Sequence, residues 1–131
     1  MDAGAAAARV ETLLELSRYE QAVEAAREGL TAHPEDAALQ LLLAMALLAA
    51  GETREGEAAA RRAIRLAPDA PFAHLMRAHA LLELGEPAEG SVAADRATRL
   101  DPESSDAFDA LALSLLELTG SRFRGCAAER V

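Results

Sequence analysis

Residues 37–70 read AALQLLLAMALLAAGETREGEAAARRAIRLAPDA, and residues 71–104 read PFAHLMRAHALLELGEPAEGSVAADRATRLDPES. Set one above the other, the two stretches share Ala44 with Ala78, Leu47 with Leu81, Gly51 with Gly85, Gly56 with Gly90, Ala63 with Ala97 and Pro68 with Pro102. A fixed step of 34 residues is the signature of a repeat architecture, in which each unit buries its apolar face only by stacking on its neighbours. The step extends outward in both directions: Pro34 precedes Pro68, Gly29 precedes Ala63, and Leu13 and Leu115 flank Leu47 and Leu81.

Within each period the pattern is helix, short turn, helix, proline-bearing turn. In residues 37–70 an apolar run follows Glu35-Asp36 and stops at Gly51, and a second helix from Thr53 pairs Glu57 with Arg61 at i,i+4. Pro68 ends that helix, and Asp69 is positioned to cap the next; Pro87 stands in a first turn, where its missing N–H costs nothing. The spacing predicts helices over 3–16, 19–32, 37–50, 53–66, 71–84, 87–99, 105–118 and 121–130, that is, four pairs. Gly120 and Gly125 lie one residue beyond the regular step from Gly85 and Gly90, which puts an extra residue near Thr119. One domain over 1–131 is expected, with units 3–36, 37–70, 71–104 and a truncated 105–131.

Small residues explain the period. Val10, Ala44, Ala78 and Ala112 fall mid-way along the first helices, and Ala22, Gly56, Gly90 and Gly125 near the start of the second, so paired helices can approach closely. Leu13, Leu47, Leu81 and Leu115 would fill the layer between them.

These residues resemble the tetratricopeptide repeat family, whose unit has a small residue in the first helix, Gly at the turn, two small residues in the second helix and a late Pro. The resemblance implies an all-α, right-handed superhelical solenoid of antiparallel helix pairs, about 3.5 to 4 units long. Gln40, Leu47 and Ala60 stand where the family often has aromatics, and Tyr19 alone keeps one, so the packing should be thin and rich in Leu and Ala. The 35-residue RNA-reading helical repeat is disfavoured by period and by charge.

Charge and composition narrow the function. A net charge of −9 opposes a nucleic-acid role, because phosphate binding relies on clustered cations. Arg supplies every base and Asn is absent, which fits a GC-rich bacterial gene. Cys126 is the only cysteine, so neither an internal disulfide nor a cysteine metal cluster can form; it reads as a packing residue. The opening residues show no secretory signal, and the longest apolar run, Leu41 to Ala50, falls short of the roughly 20 residues that span a bilayer. A soluble, cytoplasmic protein without membrane insertion is expected.

The resemblance further implies that the first helices line a concave groove for a protein ligand. Its groove positions carry over to Ala38, Leu41, Leu42 and Met45 in the second unit, to Phe72, Leu75, Met76 and His79 in the third, and to Asp106, Asp109 and Leu113 in the fourth. Leu48, Leu82 and Leu116 fit either the groove or the contact between units. An apolar face of this extent calls for a cover, and methionines suit an irregular apolar ligand. Glu15, Glu83 and Glu117 would give it an acidic edge. Family members that grip acidic chaperone tails do so with Lys, Asn and Arg, where this chain has Ala7, Glu11, Leu42, Phe72 and Met76.

His79 and Asp109 fall on adjacent first helices, but no nucleophile or phosphate loop accompanies them, and the spacing of His33, His74 and His79 fits no metal site. No catalytic residue, metal or cofactor is expected. Arg54, Arg61, Arg62, Arg65, Arg96 and Arg99 mark second helices and read as paired, solvated charge. The expected partner is therefore a protein or peptide with apolar anchors and some basic residues, bound by an adaptor that is not an enzyme. The alternatives are self-association into a homo-oligomer, or service as the repeat portion of a larger protein.

Overall fold

In the computed structural model, residues 2–129 are described for the backbone and 2–120 for side chains. Seven helices follow one another: α1 Ala3–Glu15, α2 Tyr19–Ala32, α3 Ala37–Ala49, α4 Thr53–Leu66, α5 Pro71–Glu83, α6 Pro87–Leu100 and α7 Ser105–Glu129. There is no strand among the described residues.

Each helix packs on the next, and α1, α3, α5 and α7 also touch in sequence, so the odd helices form one layer and the even helices the other. Three turns within pairs share one hydrogen-bond pattern. Glu52 N donates to Leu47 O at 2.8 Å and Gly51 N to Leu48 O at 3.1 Å, and the same pair of bonds recurs at Ser17-Arg18 and Gly85-Glu86. The turn requires a left-handed residue, supplied by Gly51 at φ 86°, Gly85 at φ 76° and, less comfortably, Ser17 at φ 58°.

Helix starts are satisfied in two ways. The carboxylates of Asp2 and Asp36 accept from Ala5 N at 2.6 Å and Leu39 N at 2.9 Å, and Ser104 Oγ accepts from Ala107 N at 3.2 Å. Asp69 does not cap α5 as expected: Ala70 holds the cap position and Pro71 the first turn, where one fewer N–H needs a partner.

The core is built from small side chains. Val10, Ala22, Ala26, Ala44, Ala60, Ala78, Ala94 and Ala97 are fully buried, with Leu39, Leu43, Leu47 and Leu81 filling the space between helices. Closeness differs between pairs. A Cβ on Gly56 would stand 2.9 Å from Leu48 Cγ and 3.3 Å from its backbone N, whereas one on Gly90 would meet nothing nearer than 3.5 Å.

The fourth unit departs from expectation. Instead of helices over 105–118 and 121–130, α7 runs unbroken through Gly120. The regular step from Ser17, Gly51 and Gly85 lands on Thr119, whose β-branch opposes a left-handed backbone. Its Oγ1 instead donates to Leu115 O at 2.8 Å, as in a continuing helix. Consequently Ala112 and Leu115 are exposed, not packed like Ala44, Ala78, Leu47 and Leu81; Leu13 is half-buried. The expectations for Gly125 and Cys126 as packing residues fall on side chains outside the described residues.

Candidate functional site

The odd-helix layer brings most of the expected groove residues onto one side. From α3 come Ala38, exposed, and Leu41 and Met45, half-buried; from α5 come Phe72, 46% exposed, and Met76 and His79, half-buried. From α7 come Asp106, Asp109 and Leu113, all exposed. Leu48 and Leu82 are half-buried, and Leu116 is exposed.

Two of the expected groove residues are corrected. Leu42 and Leu75 are core residues, 8% and 3% exposed. Leu42 belongs to the cluster of Val10, Ala22, Leu43 and Ala46, and Leu75 to that of Ala78, Leu81, Ala97 and Ala107. With so many alanines around them, only a Leu reaching in from the odd layer can fill the volume between units. Ala7, Met45 and Met76 pack against the first of these clusters, so these partly buried side chains are continuous with the core. Beside Leu41 and Ala38 lies an apolar cavity of about 130 Å³, lined also by Ala37, Ala63, Ala67, Ala70 and Ala73.

The edge is acidic. Glu15 and Glu117 are exposed, and Glu83 accepts from Thr53 Oγ1 at 3.1 Å. On the even helices Arg27 pairs with Glu55 at 2.8 Å, Arg61 with Glu57 at 2.9 Å and Arg99 with Asp95 at 3.0 Å, and Arg77 of α5 reaches the same buried Glu57 at 3.3 Å. Among the described residues no hydrogen bond or ion pair joins His79 to Asp109, and no group of His, Cys, Asp and Glu could hold a metal. His74 is buried, with Nε2 2.8 Å from Pro68 O, which ties α5 to the turn before it. No helix of the described residues is long and apolar enough to cross a membrane.

The sequence profile described as tetratricopeptide repeat matches residues 5–71, just over half of the chain. The protein belongs to the tetratricopeptide repeat family. Solved structures of such domains superpose over nearly all of it. The first tetratricopeptide domain of human RPAP3 has a TM-score of 0.87 at 19% identity, covering 92% of this chain and 94% of that one. The second domain of human RPAP3, solved with the HSP70 peptide SGPTIEEVD, has a TM-score of 0.77 at 26% identity, covering 81% and 88%. The TPR2B domain of yeast Sti1, solved as a complex with pHsp70, has a TM-score of 0.80 at 26% identity, covering 90% and 97%. No curated protein matches the chain.

Sequence reasoning missed a second exposed tetratricopeptide surface, formed by Phe108, Ala112 and Leu115 on α7. The signal was present in Thr119, where the other units have a residue able to turn the chain.

Proposed function

We propose that the protein is a non-catalytic adaptor that seats an apolar or amphipathic segment of another protein in the groove of its odd helices. The observation that carries this reading is the apolar row of Leu41, Met45, Phe72, Met76 and Leu113, left partly or wholly open on one side of a folded unit. Two of the similar domains are solved with HSP70-derived ligands, which supports a peptide as the kind of ligand. The chemistry of the ligand differs here. At the positions that would hold a cationic clamp stand Ala7, Glu11, Leu42, Phe72 and Met76, and Glu15, Glu117, Asp106 and Asp109 add negative charge. An acidic tail is repelled, while Leu or Met anchors flanked by Arg or Lys fit. A cytoplasmic, bacterial setting suits the lone Cys126 and the all-Arg composition.

Calorimetric titration with two peptides tests this reading: one ending in EEVD, and one designed amphipathic helix with Leu anchors and Arg on its polar face. The second should bind, and Met45→Glu with Phe72→Glu should weaken it at least tenfold while circular dichroism stays unchanged. Binding of the EEVD peptide alone, or indifference to the double substitution, would overturn the proposal.

A further inference from the structure

The same three places in successive first helices have opposite fates. On α3 they are Gln40, Ala44 and Leu47, and on α5 His74, Ala78 and Leu81; all six are buried. Ala44 and Leu47 pack in one cluster with Ala59 and Ala60 of α4, and Ala78 and Leu81 in another with Ala93, Ala94 and Ala97 of α6, the second helix of the same unit in each case. On α7 the counterparts are Phe108, Ala112 and Leu115, and all three are exposed, Phe108 to 48% and Leu115 to 50%. The residues that correspond to the covering helix are present in sequence. Gly125, Ala127 and Ala128 follow the pattern of Gly56, Ala58 and Ala59 and of Gly90, Val92 and Ala93. In the structure they continue in line with α7, so they do not lie over their own unit.

We infer that two copies of this chain pair through α7, the segment 121–129 of each lying antiparallel over Ala112 and Leu115 of the other, as a second helix does within units two and three. Register supports the second copy as occupant. In the second unit Gly56 meets Leu48, and in the third Gly90 meets Leu82; carried to the fourth unit, Gly125 meets Leu116. Two antiparallel α7 helices in that register are related by a two-fold axis beside Gly120 and Ser121, the point at which the expected turn is straightened. Exchange of an element across a straightened hinge needs no interface that the units do not already use.

Charge supports the same occupant. Residues 105–118 hold Asp106, Asp109 and Glu117 and no cation, whereas 121–129 carry Arg122 and Arg124 against the single acid Glu129. The register brings Arg124 of one copy level with Glu117 of the other. The pairing face is distinct from the groove: at about 100° per residue, Phe108, Ala112 and Leu115 centre roughly 125° around α7 from Asp106, Asp109 and Leu113. A dimer would therefore leave two grooves open.

Sedimentation velocity and pulsed electron spin resonance with a nitroxide on Cys126, the only cysteine, test it on the full chain. The expected result is a dimer at micromolar concentration, with the two labelled backbones about 20 Å apart, from a rise of ~1.5 Å per residue and a helix separation of ~9 Å. A chain that stays monomeric at hundreds of micromolar, or a dimer whose labels lie beyond roughly twice that distance, would overturn the inference. Leu115→Asp should raise the dimer dissociation constant at least tenfold with helicity retained, and an undiminished dimer would refute the assigned face. Should that variant not fold, Thr119→Gly gives the second reading: restoring a residue able to turn should shift the population to monomer, and an unchanged dimer counts against the exchange.

Discussion

Helices α5 and α7 are counterparts one repeat apart, yet Leu81 on α5 is 2% exposed and Leu115 on α7 is 50% exposed. Both helices are apolar, and both pack on the helix before them. The difference arises beyond the helix, at one residue. Gly85 takes φ 76° and folds α6 back over Leu81, while Thr119 keeps to the helix and leaves Leu115 bare. In a solenoid the burial of a side chain is thus set by the turn that follows it as much as by its own hydrophobicity.

Truncation of Leu81 and Leu115 should separate the two helices most. Leu81→Ala should cost about 2 to 5 kcal/mol in urea unfolding, against less than about 1 kcal/mol for Leu115→Ala at dilutions where the chain is monomeric. Equal losses would mean that α7 is covered within its own chain. The next largest contrast lies between the two closed pairs. Gly56→Ala should destabilise by about 1 to 3 kcal/mol, since the new methyl meets Leu48 at 2.9 Å. Gly90→Ala should be neutral or stabilise by up to about 1 kcal/mol, because it relieves helical glycine with only ordinary contacts in its way. Thermal unfolding of both variants decides whether the second unit is the tighter one.

Smaller effects belong to the turns themselves. Ser17→Gly should stabilise by about 1 kcal/mol, as the one described non-glycine residue at positive φ gives way to a residue without that strain. Thr119→Gly should weaken α7 locally by roughly 0.5 kcal/mol, read as faster amide exchange around residues 118–122. Smallest of all, Arg99→Gln should change stability by less than about 0.5 kcal/mol, because its pair with Asp95 is solvated on both sides. A larger loss there would require the even-helix face to carry a contact beyond simple ion pairing.

Much of this architecture could be read from the chain. The predicted spans 19–32 and 53–66 coincide with α2 and α4, and those of α3 and α5 end within a residue of their predicted stops. Proline and glycine act through their own backbone, so Pro34, Pro68, Gly51 and Gly85 announce turns wherever they stand. The groove was less legible. Leu41 and Leu42 are alike in composition and adjacent in sequence, and only the alanines facing Leu42 across the interface draw it into the core. Leu75 disappears into the next unit for the same reason.

The period of Pro, Gly and Ala was enough to specify a helical solenoid of this family, because backbone sterics and small-residue contacts are local and recur in every unit. How near Gly56 and Gly90 come to their neighbours, and which leucines remain for a ligand, depended on three-dimensional packing. Those outcomes turn on volumes contributed by residues far apart along the chain, and no repeat pattern records whether the space beside a given leucine has already been filled.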